Sequence, residues 1–116
     1  VKSGNYSFYV PERGDIIWID FNPQKGHEQA ERRPAIVVSP ASYNKKVGLA
    51  LICPITNQVK QYPFEVLLPQ EMQTSGVVLA DQVKSLDWKA RNAQFKEKAS
   101  NDITENVIAK IMTLLS

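Results

Sequence analysis

Residues 15–21 read DIIWIDF, with Ile17, Ile19 and Phe21 on one face of an extended chain and Ile16 and Trp18 on the other. That alternation predicts a strand buried on both sides. A second apolar run, AIVVS at 35–39, follows Arg32-Arg33-Pro34. Proline at 34 removes a backbone donor and pushes Arg33 toward extended geometry, so the second strand is expected over 34–39. Pro40 stops it, residues 41–46 predict a helical turn, and Val47-Gly48 reverses the chain. Strands are expected over 49–55, 64–68, 76–80 and 82–85, with a polar turn at 56–61 and Asp81 between the last two strands. From residue 102 the period changes. Ile103, Val107, Ile108, Ile111, Leu114 and Leu115 recur at three- and four-residue spacing, which predicts a helix over 102–116. Asp102 with Glu105 resembles a capping box with aspartate as the cap. Five or six short strands before one amphipathic helix predict a mainly β domain, a small barrel with a C-terminal α-helix packed on it.

The segment between the first two strands, NPQKGHEQAERR, has no apolar anchor of its own. At about a dozen residues it is long against the usual four to six, and such loops are often functional. Arg33 falls where this loop meets a rigid strand, which suits a residue that grips a ligand in a fixed orientation.

Composition narrows the class. The 116 residues, 43% hydrophobic and 22% charged, fit one ordinary globular domain, with residues 1–10 expected as a flexible tail. No apolar run approaches the eighteen or so residues of a membrane span, and the N-terminal residues lack the apolar core of a secretory signal. The single cysteine, Cys53 in LALICPI, excludes an intramolecular disulfide, reads as a small buried hydrophobe, and is compatible with the cytoplasm. A net charge of +2 is too mild to announce a nucleic-acid binder. The local groups are more suggestive: Lys25, Arg32 and Arg33; Lys45 and Lys46; Lys84, Lys89 and Arg91. On one face they would form a stripe that attracts a phosphate backbone; scattered, they are solvated charges.

One histidine and one cysteine cannot supply a zinc site, and the chain carries no phosphate-loop, nucleophile-elbow or dinucleotide motif. An enzyme here is expected to work without a cofactor or metal. Thr56 directly follows the third strand, in CPITNQ. If the strands of Arg33 and Thr56 are neighbours, a planar fork of donors and a short hydroxyl converge on one anion. The plainer alternatives are a surface ion pair of Arg33 with Glu28 or Glu31, and a Thr56 hydroxyl bonded to its own turn. His27 suits proton transfer near neutrality but has no evident orienting partner. Asp81-Gln82 either reads base edges or makes a turn. Trp18, Trp88, Tyr43, Tyr62 and Phe64 could stack bases, although core packing is the commoner fate, above all for Trp18.

GDIIWIDFNPQKGHEQAERRPAIVVSP, then PITNQ, YPFEV and GVVLADQVKSLDWKAR, together resemble the MazF/PemK family of toxin endoribonucleases, from about Tyr9 to the C-terminus. The resemblance implies an SH3-like barrel with a C-terminal helix, a homodimer, and metal-free cleavage of single-stranded RNA. Attack by the ribose 2′-OH would leave a 2′,3′-cyclic phosphate and a 5′-OH. The family's central arginine falls on Arg33, its catalytic threonine on Thr56, and its loop glutamate, a candidate proton acceptor, on Glu28. RNA contacts are expected from Lys25, Gln29, Arg32, Asn44, Asp81, Gln82 and Lys84. The implied partner is a MazE-type antitoxin whose acidic C-terminal tail competes with RNA for a cationic groove. Two departures stand out. The PemK branch has arginine where this chain has Leu79, so its arginine–aspartate mechanism does not transfer. Asn22 and Arg32 stand where close relatives can carry aspartate and histidine. The runner-up reading is a non-catalytic, gyrase-poisoning toxin of the CcdB type, and a third is an inert SH3-like interaction module.

Overall fold

The computed structural model describes residues 9–21 and 31–116. Seven strands and two helices follow in the order β1 (Asp15–Asp20), β2 (Arg32–Val37), α1 (Ala41–Val47), β3 (Ala50–Thr56), β4 (Glu65–Leu67), β5 (Val77–Leu79), β6 (Lys84–Leu86), β7 (Gln94–Lys98) and α2 (Asn101–Leu115), with a 3-10 turn at Ala80–Gln82 between β5 and β6. All ladders are antiparallel, running β4-β5-β3-β2-β1-β7, with β6 also on β3. This is the mainly β architecture with a C-terminal helix that the hydrophobic pattern predicts.

β3 is the hub. One edge pairs with β2, and the other is shared, with β6 opposite Ala50–Ile52 and β5 opposite Ile55 and Thr56. Pro54, which has no N–H to donate, falls in the gap between those two partners. Pro34 is placed by the same logic, inside the β1 ladder but before the first bridge to β3 at Ala35.

Alternation along the strands builds two apolar layers. Ile16, Ile36, Cys53, Ile55 and Val78 lie on the face covered by Ile103 and Val107 of α2. Ile17, Ile19, Phe21, Ala35, Val37 and Ile52 lie on the other, closed by Trp88. Cys53 is fully buried, as expected, and burial followed by the nearby Asp81 charge pushes its thiol up to about 12.

Four expectations need correction. β7, QFKEK, has no counterpart among the expected strands, yet it pairs with β1 along its edge. The cap of α2 is Ser100, whose hydroxyl accepts from the Ile103 N–H at 3.3 Å, and Asp102 instead sits in the first turn. Leu114 and Leu115 lie at the exposed end of α2, 47% and 74% accessible, so the apolar face of the helix is not buried through its last turn. Trp18 is only half-buried, with the Lys96 ammonium 5.3 Å above its ring, whereas Trp88 is the tryptophan in the core.

Candidate active site

The β2–β3 register pairs Val37 with Ile52, Ile36 with Cys53 and Ala35 with Pro54. Continued by two residues, it sets Arg33 across from Thr56, on the face that carries Ala35 and Ile52. The two strands are neighbours, and both side chains line one cavity of about 290 Å³ with Gln58, Lys60, Tyr62, Phe64, Glu65, Leu79, Asp81 and Gln82.

Each of the two keeps a local bond as well. Arg33 Nε lies 3.5 Å from Glu31 Oε2, with 32% of the arginine side chain and 50% of the glutamate exposed. This is a loose one-point contact rather than a two-point fork, of a kind worth little in water. The Thr56 hydroxyl oxygen accepts from the Gln58 N–H at 3.1 Å. A hydroxyl that accepts in this way still has its own proton to donate, so the turn bond orients the group without using it up.

The far wall comes from the turn after β3, expected as polar and now seen to be folded on Glu65. That carboxylate accepts from the N–H of Lys60 at 3.1 Å and of Gln61 at 2.8 Å, and Gln61 takes a left-handed φ of 61° to allow it. The Lys60 ammonium lies 6.0 Å from the Tyr62 ring centroid. Tyr62 is well exposed and Phe64 half-buried, so the cavity has aromatic surface beside its cation. The sequence pattern does not single out Gln58, Lys60 or Glu65. Their only trace in the sequence is the polar stretch that runs directly from Thr56 into YPFEV.

Asp81 and Gln82 reach the cavity from the exposed 3-10 turn. Lys84 does not line the cavity; it lies on β6, opposite Ile52, with its ammonium 5.6 Å from the Phe21 ring centroid. Glu28, Gln29 and Lys25, with His27 and Asn22, lie outside the described residues.

Two expected RNA contacts are placed elsewhere. Asn44 is fully buried: its amide oxygen accepts from the Ser39 hydroxyl at 2.6 Å, and its NH2 donates to the carbonyls of Pro11 at 2.8 Å and Ser39 at 3.0 Å. With its donors and acceptor spent inside the fold, Asn44 is a structural residue. Arg32 points its guanidinium toward β1 and β7, donating to Asp20 Oδ1 at 2.9 Å, the Asn92 carbonyl at 2.8 Å and Gln94 Oε1 at 3.2 Å. It is not part of the Arg33 cavity. A larger recess of about 530 Å³ lies at the opposite end of β3, between Lys45, Val47, Trp88 and Lys89. Among the described residues its lining pairs no hydroxyl with an arginine, so size alone does not make it the site.

The family description "PemK-like, MazF-like toxin of type II toxin-antitoxin system" matches residues 12–115. The chain belongs to this toxin family. It is 50% identical over 109 residues to the endoribonuclease toxin MazF of Escherichia coli K12, covering 94% of this chain and 97% of that one. The crystal structure of MazF from Deinococcus radiodurans superposes with a TM-score of 0.85 at 50% identity, over 93% of this chain and 98% of the other. MazF in the MazE–MazF complex of the same organism gives 0.88, also at 50% identity, over 93% and 97%. Within this MazF-like frame, Leu79 occupies the cavity wall, so the position that the PemK branch fills with arginine is apolar here.

Proposed function

We propose that the chain is an endoribonuclease toxin that cuts single-stranded RNA by transesterification at the Arg33–Thr56 cavity, and that it acts in the cytoplasm. The observation that carries this reading is that Arg33 and Thr56, from the neighbouring strands β2 and β3, line one cavity. Its 50% identity to a protein named as an endoribonuclease toxin supports the same activity over a gyrase-poisoning one.

In the reaction the ribose 2′-oxygen attacks the adjacent phosphorus, the new O2′–P bond forms, and the P–O5′ bond breaks in line with it. The 2′-OH gives up a proton, the departing 5′-oxygen gains one, and no water or redox partner is consumed. Arginine stays protonated near neutrality, so Arg33 serves as a donor: its fork meets the phosphoryl oxygens as negative charge builds there. Thr56 adds a short O–H donor from the other strand. Glu28 is assigned as the proton acceptor. Tyr62 and Phe64 offer faces for flanking bases, and Gln82, Asp81 and Lys84 form the adjoining wall and rim. A homodimer brings two such cavities together. A MazE-type antitoxin with an acidic tail is the regulator, and the MazE–MazF complex among similar structures supports it.

The test is incubation with mixed-sequence single-stranded RNA in EDTA, followed by end-group analysis. Wild type is expected to give discrete fragments ending in cyclic phosphate. Arg33→Ala is expected to be slower by about a hundred- to a thousandfold, the usual loss for one preorganised donor. Intact RNA from folded, antitoxin-free protein overturns the reading, and full single-turnover cleavage by Glu28→Gln removes Glu28 alone.

A further inference from the structure

Thr56 is the last residue of β3, and β5 holds that end of the strand by only two bridges, Ile55 with Val78 and Thr56 with Val77. The residue before β5 is Gly76, at φ +109°. A Cβ added there would lie 2.2 Å from the Thr56 carbonyl oxygen and 2.8 Å from its carbonyl carbon. The contact is backbone against backbone, so no side-chain rotamer can relieve it, and the backbone angle independently favours glycine. Beside it, the Ser75 hydroxyl donates to Asn57 Oδ1 at 2.8 Å, clasping the residue that follows Thr56.

The loop that delivers Ser75 and Gly76 is itself anchored. Glu97 on β7 accepts from the N–H of Gln73 at 3.2 Å, the N–H of Thr74 at 2.6 Å and the Thr74 hydroxyl at 2.5 Å. Lys96 Nζ donates to the same hydroxyl oxygen at 2.7 Å, and Thr74 is buried. One end of residues 73–76 is thus tied to β7, while the other brings Gly76 so close to the Thr56 backbone that no Cβ fits between them.

We infer that Gly76, with the Ser75–Asn57 clasp, is a positioning residue that sets the Thr56 hydroxyl against the phosphate. The inference rests on the reading of Thr56 as a group that meets the phosphate. Alanine at 76 must move one backbone away from the other by roughly an ångström, from 2.2 Å to the 3.4 Å at which ordinary contact begins. A displacement of that size at a reacting group costs about a hundredfold in rate.

Gly76→Ala is expected to lower kcat about a hundredfold while KM for RNA stays within about threefold. The amide resonances of Thr56 and Gln58 move, while those of Ile16, Ile17 and Ile19 in β1 do not. Added to Thr56→Ala, the same substitution is expected to cause no further loss, because its effect passes through Thr56. A generic destabilisation would still lower activity in that background, and that result overturns the inference. So does folded Gly76→Ala with kcat within about threefold of wild type. Should Gly76→Ala not fold, Ser75→Ala at an exposed serine decides. It is expected to lower kcat about fivefold and shift the Gln58 amide, with Ser75→Thr restoring both. No change in either measurement overturns the inference. Full activity of Thr56→Ala removes the reading beneath it, and the Thr56 amide would still move in Gly76→Ala, so the two failures are distinguishable.

Discussion

Arg33 and Thr56 each make a bond that an ordinary surface residue would make, one to Glu31 and one to the Gln58 N–H. Neither bond competes with a role in binding phosphate. A half-exposed ion pair is worth about 0–1 kcal/mol, so an RNA phosphate can replace Glu31 at little cost, and the threonine keeps its proton for donation. Asn44 is the opposite case, a polar side chain whose entire capacity is spent on Ser39 and Pro11 inside the fold. Removing it takes the amide donor from the Pro11 and Ser39 carbonyls and the acceptor from the Ser39 hydroxyl proton, although the hydroxyl oxygen still accepts from the Leu51 N–H at 2.9 Å. Asn44→Ala is expected to cost about 2–3 kcal/mol in urea unfolding while leaving RNA affinity of the folded protein unchanged. A variant of wild-type stability with weakened RNA binding would return Asn44 to the RNA surface.

Helix α2 shows how a cap is chosen when several residues qualify. Ser100 has extended backbone geometry and a hydroxyl that accepts from Ile103, whereas Asp102 is already helical and acts only through its charge near the positive helix end. Ser100→Ala should therefore cost about 1 kcal/mol, more than Asp102→Ala, which loses a few tenths. Chemical denaturation of the two variants checks the order, and the reverse order would restore Asp102 as the cap. Both residues sit in the same SND run, so the spacing to Glu105 was a misleading guide. β7 was illegible for a different reason. Its five residues carry a single aromatic among charges, and what makes QFKEK a strand is the exposed edge of β1 beside it. By contrast β1, β2, β3 and α2 were legible because burial on defined faces imposes a period on their residues. The candidate site was half legible. The motifs marked Arg33 and Thr56, but their meeting depends on the β2–β3 register. Gly76 acts by leaving no room, which no local pattern in the sequence displays.

At the scale of the whole molecule, Glu12, Asp20 and Glu97 each staple segments distant in the chain, and all three carboxyls are held below the usual range. Glu12 is lowered by the Ala41 N–H and then the Arg13 N–H. Asp20 is lowered by the Asn92 amide and then the Arg32 guanidinium. For Glu97, burial pushes the carboxyl up, but the hydrogen bonds from Thr74 and Gln73 together outweigh it. A folded-state value below the unfolded one means that the unfolded chain binds protons more readily as the pH drops. The stabilisation is therefore complete above the unfolded value, about 4, and is lost as pH falls through the lower folded values. At the other extreme, burial, then the hydrogen bond to Asp15, raises the Tyr9 phenol, whose contribution is complete below about pH 10 and lost above it. The buried Cys53 thiol, raised in the same sense, adds to the alkaline loss from its unfolded value of about 8.5 upward, so urea midpoints should be level from about pH 6 to 8 and fall on both sides. Glu97→Gln tests this chemistry at the anchor of the loop that packs against the Thr56 backbone. The variant should be less stable at pH 7, with a shallower decline below about pH 4, because one of the protons taken up on unfolding is gone. A decline as steep as that of the wild type would mean that the Thr74 contact does not carry its share of the acid sensitivity.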